Sequence, residues 1–304
     1  RKNTGRPKGY IPNDRPHAET VALLNDVIGV LNAYRDHWPL TARQIYYRRI
    51  GAHDYPKTDA FYERLCNHLS NARRGRVIPF AASRDDGVAV MAPGHFDGED
   101  GFYSSVRDLA ANYERDKLAR QSVYIEVWCE AAGMQPQLAE VAHRFSVHVY
   151  SCSGFDSTTA KYDINRRVCR KGKRAVILHL GDDDPSGAGI FDAVAEDVTR
   201  FVEEDRPHGL VSVEFRRVAL TEEQVRLFDL PTAPPKVSDS RSKRWSGETC
   251  QLEARSPEQI AGLLDEAISE YFDFDRFSQD LEQEQVDRQR IVYALPAPAG
   301  EDHR

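Results

Sequence analysis

Acidic residues stand directly after two apolar segments that have the length of buried strands. Glu130 ends the segment Tyr124–Glu130, and the run Asp182–Asp184 follows Ala175–Leu180. The carboxyl ends of parallel strands meet at one edge of a sheet, so these carboxylates are expected to converge there. Converging carboxylates repel one another unless a cation neutralises them, and hard oxygen ligands near water suit Mg²⁺. The pattern predicts a metal site, and a solvated turn is the alternative interpretation of the triple aspartate.

A second chemical candidate is a pair of adjacent tyrosines, Tyr46 and Tyr47, in a segment with helical spacing. Tyr46 shares a face with Ala42 and Ile50 and is expected in the core, whereas Tyr47 is turned about 100° from it. Arg43 lies one turn before Tyr47, where a guanidinium would favour the phenolate and hold a phosphate. This arrangement would suit a tyrosine nucleophile at position 47. The alternative is that both tyrosines are structural.

The residues before position 100 predict a small DNA-binding domain. Apolar spacing indicates three helices, Glu19–His37, Ala42–Gly51 and Lys57–Arg74. Thr41 is expected to cap the second helix, and Gly75 to end the third. The apolar segments Val77–Ala82 and Val88–Met91 flank a turn and predict a two-stranded wing.

Three helices followed by a hairpin form the winged variant of the helix-turn-helix, whose third helix faces the major groove. The predicted winged-helix domain spans residues 17–100, after a flexible basic arm over residues 1–16. Four arginines are predicted to contact DNA: Arg48, Arg73, Arg74 and Arg76. Such contacts depend on the local potential near the phosphates, so they are compatible with an acidic chain.

After a linking helix predicted over residues 101–121, strands alternate with helices. The predicted strands are Tyr124–Glu130, Val147–Ser151, Arg174–Leu180 and Val211–Ala219. The helices between them are Leu138–Phe145, Thr158–Arg170 and Ala188–Val202. This alternation predicts an α/β domain over residues 122–293, with a parallel sheet flanked by helices and a C-terminal helical extension. Thr221 and Ser256 are expected to open helices with capping boxes, and residues 294–304 are expected to be a disordered tail.

Two motifs resemble a known family. Glu130 after an apolar strand, followed by Asp182-Asp183-Asp184-Pro185-Ser186-Gly187, resembles the Toprim signature of topoisomerases, primases and related nucleases. Arg43-Gln44-Ile45-Tyr46-Tyr47 resembles the winged-helix motif of the topoisomerase VI A subunit, a type IIB enzyme, and of the meiotic double-strand-break proteins. The resemblance covers roughly residues 40–254.

This resemblance implies a site and a reaction. Glu130, Asp182 and Asp184 match the Mg²⁺ ligands of the family, and Tyr47, assisted by Arg43, matches its nucleophile. The implied reaction is cleavage of double-stranded DNA by transesterification, which leaves a 5′-phosphotyrosyl link. In the family the tyrosine of one protomer meets the metal of the other, so a homodimer is implied. Ser186 stands where some Toprim proteins have a third acid, so that ligand is missing here.

The family implies a further partner. Its members that relax DNA need a separate ATP-binding B subunit, and this chain has no glycine-rich phosphate loop with Lys-Ser or Lys-Thr. Two alternatives to tyrosine transesterification stay open. One is a Toprim nuclease that attacks with water, and the other is a DNA-binding scaffold that does not cleave.

Composition limits the protein class. A hydrophobic content of 40% and a charged content of 29% are typical of globular domains, and the length of 304 residues suits two of them. No apolar run reaches the roughly 20 residues of a membrane-spanning helix. The five cysteines are scattered and odd in number, which argues against a disulfide framework or a zinc site and predicts a reducing, cytoplasmic compartment.

Overall fold

The computed structural model describes residues 10–11, 16–53, 57–84, 94–152, 158–206, 209, 211–235, 245 and 247–295. Within them, helices surround a four-stranded sheet in which every strand pairing is parallel. The predicted α/β class is therefore confirmed. Most of the predicted basic arm and nearly all of the predicted tail lie outside the described residues.

Three helices form the N-terminal part, as the apolar spacing predicted. They are α1 (Ala18–Ala33), α2 (Ala42–His53) and α3 (Asp59–Arg74). α1 ends earlier than expected because Trp38 folds back and donates its indole N–H to the carbonyl of Leu31, at 2.8 Å. The expected cap of α2 is confirmed: Thr41 and Gln44 bond to each other's backbone N–H groups through their side chains.

Helix α3 ends at Arg74 as predicted, but Gly75 does not end it by taking a left-handed backbone conformation. Gly75 stays in the right-handed region, and Arg76 takes the positive φ of 60°. The N–H groups of Val77 and Ile78 then bond back to the carbonyl of Ala72, at 2.9 and 3.3 Å. These donors close the end of the helix, so they cannot join a strand ladder.

The first strand of the predicted wing is consequently wrong. The segment Val77–Ala82 contains a 3₁₀ turn at Phe80–Ala82, and strand β2 (Ser83–Arg84) follows it. β2 pairs in parallel with β1 (Leu40–Thr41), just before α2. The second predicted wing strand, residues 88–91, lies entirely outside the described residues.

The predicted linking helix is shorter than expected and begins earlier, as α4 (Gly98–Ala111). Residues 113–122 are not helical. They are fixed instead by ion pairs to the C-terminal helix: Arg115 contacts Asp287 at 2.5 Å, and Lys117 contacts Glu284 at 2.9 Å. The spacing of apolar residues could not predict this end of the helix, because ion pairs to a distant segment leave no pattern in the local sequence.

The four-stranded sheet consists of β3 (Val123–Cys129), β4 (His148–Ser151), β5 (Arg174–Leu180) and β6 (Val213–Ala219). Its strand order is β4-β3-β5-β6. β3 and β5 are the central strands, and their side chains are almost entirely buried. All four strands were predicted to within two residues at each end.

The helices that alternate with and follow these strands are α5 (Gln135–His143), α6 (Thr158–Lys171), α7 (Pro185–Asp205), α8 (Glu222–Leu227), α9 (Pro257–Ser269) and α10 (Phe274–Ala294). α5 packs against α9, and α6 against α7. The chain reverses its direction across the sheet after β4, and right-handed crossovers therefore place α5 and α7 on opposite faces. The predicted capping boxes of α8 and α9 are both present. In the described part of the chain, no helix combines the length and apolar character needed to span a membrane.

Candidate functional site

The carboxyl ends of β3 and β5 form a topological switch point, because the helices that follow these adjacent strands cover opposite faces. Open parallel sheets bind ligands at this place. Glu130 follows β3, and its N–H donates to the carbonyl of Leu180 at the end of β5, at 2.9 Å. The N–H of Asp182 in turn donates to Oε2 of Glu130, at 3.2 Å. The structure thus brings two of the three predicted ligands together.

Two glycines allow the Glu130 carboxylate to approach the backbone. A Cβ atom at Gly181 would lie 2.6 Å from Oε2 of Glu130. A Cβ atom at Gly187 would lie 2.7 Å from the same oxygen and 3.3 Å from Oδ1 of Asp184. Any larger residue at either position would displace Glu130, so the glycines of the acidic run are explained by this contact.

The three consecutive aspartates have three different contacts. Oδ1 of Asp182 accepts a hydrogen bond from the N–H of Leu252, at 2.9 Å. Asp183 forms an antiparallel backbone bridge with Cys250. Asp184 caps α7, with Oδ1 accepting from the N–H of Gly187 at 2.7 Å. The aspartates are therefore structured by the backbone around them and do not form a solvated turn.

An acidic cleft of about 460 Å³ opens at this edge of the sheet; its charged and phenolic lining residues are Arg43, Tyr62, Arg84, Glu130, Asp182 and Glu253. Four of these were not predicted from the acidic motifs. Arg43 comes from the tyrosine helix α2, so the cleft joins the two parts of the chain that the sequence analysis singled out. Asp184 caps α7 and does not line the cleft.

Glu253 is the acid that sequence reasoning missed. It lies in the 3₁₀ turn Leu252–Ala254, against which α2 packs, and its residue is only 4% exposed. Its Oε2 is buried without a hydrogen-bond partner. The sequence around it matches no motif, and only long-range folding places it beside Asp182.

The carboxylates of the cleft hold protons more tightly than usual. Burial raises the pKa of Glu130 to about 7, and the charges of Asp182 and Asp184 add to the effect. Burial likewise raises the pKa of Asp182 and that of Glu253. Desolvated carboxylates that repel one another behave in this way.

Arg217 stabilises the loop after β5. Its guanidinium donates to the carbonyl of Leu220, at 2.8 Å, and to the carbonyl of Asp182. His179, on β5, is 3% exposed and packs on Phe191. Burial and the charge of Arg217 lower the pKa of His179 to about 3, so it is neutral and supplies no counter-charge to the acids.

Both tyrosines of α2 are buried, whereas the sequence placed only Tyr46 in the core. Tyr46 is 7% exposed, and its hydroxyl donates to the carbonyl of Thr58 and accepts from its N–H, at 3.0 and 2.8 Å. Tyr47 is 4% exposed, and its hydroxyl donates to Oε1 of Gln251 at 2.8 Å. Burial raises the pKa of Tyr47 above the ordinary phenol value, and the charge of Arg43 opposes this only weakly.

Arg43 points its charge toward the acids. Its guanidinium lies 5.7 Å from the ring centre of Tyr62. Burial disfavours its charge, but the carboxylates of Glu253 and Asp182, together with Tyr62, raise the pKa of Arg43 above its ordinary value. Arg43 is thus a cation shared between the tyrosine helix and the acidic cleft.

The four arginines predicted to contact DNA have different surroundings. Arg48 donates to the carbonyl of Ala254, which ties α2 to the turn that carries Glu253. Arg73 lies over the ring of Phe80 at 4.7 Å, and Arg76 over the ring of Tyr10 at 4.5 Å. Arg74, the last residue of α3, accepts at its carbonyl from the N–H of Ile11. Their role in DNA binding stays a prediction.

Arg84 was missed because it stood in the predicted turn of the wing. It donates to the carbonyl of Ala132 at 3.4 Å and lines the acidic cleft. It also lines a second depression, with Trp38, Arg73 and Phe80. A basic side chain therefore connects the cleft with the end of α3.

Among the residues that the structure describes, no three or more His, Cys, Asp or Glu side chains are arranged so that they could hold a metal ion. Oxygens of Glu130, Asp182 and Asp184 accept hydrogen bonds from backbone N–H groups instead. No protein-family model matches the chain, and neither the curated proteins nor the solved structures that were compared with it gave a match.

Proposed function

We propose that this chain cleaves double-stranded DNA with Mg²⁺, in the manner of the type IIB topoisomerase A subunits that its motifs resemble. One observation carries the proposal: Arg43, four residues before Tyr47, lines the same cleft as Glu130 and Asp182. The two motifs are far apart in the chain, and the fold brings residues of both to one cleft. A guanidinium beside the acidic edge can hold a phosphate there, which supports a DNA-cleaving site.

In the proposed site, Mg²⁺ would be held by one or two carboxylates of the cleft, not by a cage of side chains. Mg²⁺ commonly takes only one or two carboxylates and completes its octahedron with water and substrate phosphate, so a preformed cage of three side chains is not needed. The oxygen Oε2 of Glu253 is buried without a partner, and the pKa values of Glu130 and Asp182 are raised. Both observations support a cation here, because it would neutralise carboxylates that the surrounding residues leave unneutralised. Glu130 and Asp182, which line the cleft, are the proposed ligands, whereas the third predicted ligand, Asp184, caps α7. Bound there, Mg²⁺ would stabilise negative charge on a scissile phosphate.

In the proposed reaction the Tyr47 oxygen bonds to phosphorus while the bond from phosphorus to the 3′ oxygen breaks. The product is a 5′-phosphotyrosyl link, and the phenolic proton is balanced by protonation of the released 3′ hydroxyl. Arg43 supplies a fixed positive charge for the phosphate. Tyr47 must first leave Gln251 of its own chain, and in the proposed homodimer it then serves the cleft of the other protomer.

A second candidate, a nuclease that attacks with water, is favoured by the surroundings of Tyr47. The hydroxyl is buried, its hydrogen bond is satisfied within the chain, and its pKa is raised, all of which oppose phenolate formation. In this version the acidic cleft is unchanged and Tyr47 only holds Gln251, the residue before the 252–254 turn. A cytoplasmic location belongs to the proposal in either version. An ATPase B-type partner for DNA relaxation belongs only to the transesterification, because hydrolysed ends cannot be rejoined.

One experiment tests the proposal directly. The protein is incubated with supercoiled DNA and Mg²⁺, the reaction is stopped with detergent, and the DNA ends are examined for covalently attached protein. Strand breaks with attached protein support transesterification. Breaks with free ends support the water-using nuclease, and binding without breaks would leave a DNA-binding scaffold and overturn the proposed cleavage.

A further inference from the structure

A groove between α1 and α2 reaches the candidate nucleophile, and it is separate from the acidic cleft. The groove has a volume of about 680 Å³ and is closed on one side by Pro231 and Ala254. Tyr47 and Arg48 line it from α2, and no described residue lines both the groove and the acidic cleft. A ligand in this groove therefore meets Tyr47 without entering the cleft.

The groove carries a positive charge that its lining leaves unneutralised. Arg48 donates to the carbonyl of Ala254, a neutral acceptor, and its Nε is buried without a hydrogen-bond partner. Among the described residues, no carboxylate forms an ion pair with Arg48. The carboxylate of Asp26, which also lines the groove, is already paired with Arg49 at 3.0 Å. The groove therefore favours an anion, and the planar donors of arginine suit a phosphodiester.

The wall that α1 contributes suits a nucleobase. Tyr34 supplies a partly exposed aromatic ring, and Asn25 supplies an exposed amide that can both donate and accept hydrogen bonds. Unpaired bases stack on such rings whatever their identity. Gly29 follows Asn25 by one helical turn, and a Cβ atom there would have no other atom within 4 Å. The missing side chain thus keeps this wall of the groove open.

The recessed position of Tyr47 indicates which form of DNA fits the groove. The residue is only 4% exposed, so a phosphate must enter the groove to approach its hydroxyl. The paired and stacked bases of a duplex keep its phosphates on a broad outer surface. A single strand can follow a basic groove with its phosphates and place its bases on aromatic side chains. An unpaired strand is therefore the form that can reach Tyr47.

We propose that this groove binds an unpaired segment of the DNA strand that Tyr47 attacks, with Arg48 on a phosphate and Tyr34 against a base. The inference rests on the proposed cleavage by tyrosine and deepens it. It names the form of the substrate, which is DNA that is single-stranded next to the scissile bond. The strand must then separate from its complement before Tyr47 can act.

The test is DNA binding by the whole chain in EDTA, so that Mg²⁺-dependent cleavage does not interfere. A fluorescein-labelled single strand of thymidines and a labelled duplex are each titrated with protein, and the fluorescence anisotropy is followed. Gly29→Phe fills the groove from a position with open space around it and is expected to weaken binding of the single strand. Gly262→Phe makes the same change at an exposed glycine of α9, also in open space, and should bind like the parent.

Two further variants test the individual contacts, and urea unfolding shows whether each variant is folded. Tyr34→Ala should weaken single-strand binding about tenfold, a typical loss for one base stacked on an aromatic side chain. Arg48→Gln should lower the log–log salt dependence of single-strand binding by about 0.7, the value for one lost phosphate contact. A merely structural role of Arg48 would leave this slope unchanged.

The outcomes that overturn the inference differ in what else they overturn. If folded Gly29→Phe binds the single strand like the parent, or if the parent binds the duplex but not the single strand, the groove assignment fails and the proposed cleavage of DNA survives. If the parent binds neither form, the inference and the proposed function both fail. Should Gly29→Phe not fold, parental affinity in Tyr34→Ala with a parental salt slope in Arg48→Gln would equally contradict the assignment.

Discussion

The hydroxyl of Tyr47 donates a 2.8 Å hydrogen bond to Gln251, a residue 204 positions later in the chain. The next residue, Leu252, donates its N–H to Asp182, the central acid of the cleft. Two consecutive residues thus contact the candidate nucleophile and a candidate metal ligand. The tyrosine helix and the acidic edge are therefore parts of one structural unit within the protomer.

The adjacent tyrosines give the most discriminating prediction. Tyr47→Phe removes one hydrogen bond to Gln251 and is expected to abolish both DNA cleavage and the covalent adduct. Tyr46→Phe is the matched control and should retain both. Because Tyr46 bonds to both backbone groups of Thr58, its loss should lower the free energy of unfolding by about 1–3 kcal/mol.

These variants are compared by urea unfolding and by the adduct assay under the same conditions. If Tyr47→Phe cleaves as well as the parent, the tyrosine is structural and the water-using nuclease is the better description. If only Tyr46→Phe is inactive although it is folded, the nucleophile is Tyr46 and not Tyr47.

The glycines beside Glu130 provide a test of the cleft that removes no carboxylate. Gly187→Ala would place a methyl group 2.7 Å from Oε2 of Glu130, and Gly181→Ala one at 2.6 Å. Both are expected to displace Glu130 and to reduce Mg²⁺-dependent cleavage at least about tenfold. Gly262→Ala, in α9 with open space around it, should keep full activity and gain about 0.5–1 kcal/mol in unfolding free energy. Full activity in both cleft variants would mean that the position of Glu130 does not matter for cleavage.

The acids of the cleft predict how stability depends on pH without metal. Because the folded-state pKa of Glu130 lies above its unfolded value, the folded protein retains a proton that the unfolded chain has released between pH 4.5 and about 7. Its contribution to stability is complete below that interval and is lost as the pH rises through it. The free energy of unfolding, measured in EDTA, should fall as the pH rises across this interval. In Glu130→Gln the fall should be smaller. A stability that rises with pH in the parent and in Glu130→Gln alike would contradict the assignment.

Removing a ligand should abolish cleavage without unfolding the protein. Asp182→Asn and Glu130→Gln each relieve carboxylate repulsion and keep an oxygen that can accept the backbone N–H bond, so in metal-free buffer both variants should be at least as stable as the parent. Both should lose Mg²⁺-dependent DNA cleavage. Cleavage at the parental rate in both variants would exclude the metal site.

The arginines at the end of α3 are expected to contact phosphates. Replacing Arg73, Arg74 and Arg76 by alanine should weaken binding to any DNA sequence. It should also reduce the log–log salt dependence by up to about three units, at roughly 0.9 per phosphate contact. Binding isotherms at several salt concentrations measure this slope.

A triple variant of exposed arginines elsewhere controls for the change in total charge; it carries alanine at Arg170, Arg200 and Arg226. This variant should bind with a slope close to the parental one. An unchanged slope in the α3 variant would mean that Arg73, Arg74 and Arg76 lie away from the DNA.

The sequence predicted the sheet well because its signal is local. Apolar runs marked β3 and β5, and hydroxyl residues followed by glutamine marked the capping boxes at Thr221 and Ser256. The meeting of Glu130 and Asp182 followed from the rule that parallel strands end at one edge.

Features that depend on distant contacts were not predictable. Nothing near Glu253 in the sequence indicates that Leu252 will bond to Asp182 and bring the glutamate into the cleft. The burial of Tyr47 likewise depends on Gln251, whose place is set by the bridge between Asp183 and Cys250. The first predicted wing strand was wrong because the N–H groups of Val77 and Ile78 bond to the carbonyl of Ala72 at the end of α3.

The short segment Cys250–Ala254 has a consequence for how this protein tolerates change. Within five consecutive residues, its backbone or side chains contact Asp183, Tyr47, Asp182 and Arg48, in the same order as the segment runs. A single-residue deletion there would shift all of these contacts by one register together, whereas a substitution would alter one of them. Insertions and deletions in this stretch should therefore inactivate the protein much more often than point changes. A deletion scan would show this, because the length of the segment sets the spacing of its contacts with α2 and with the acidic run.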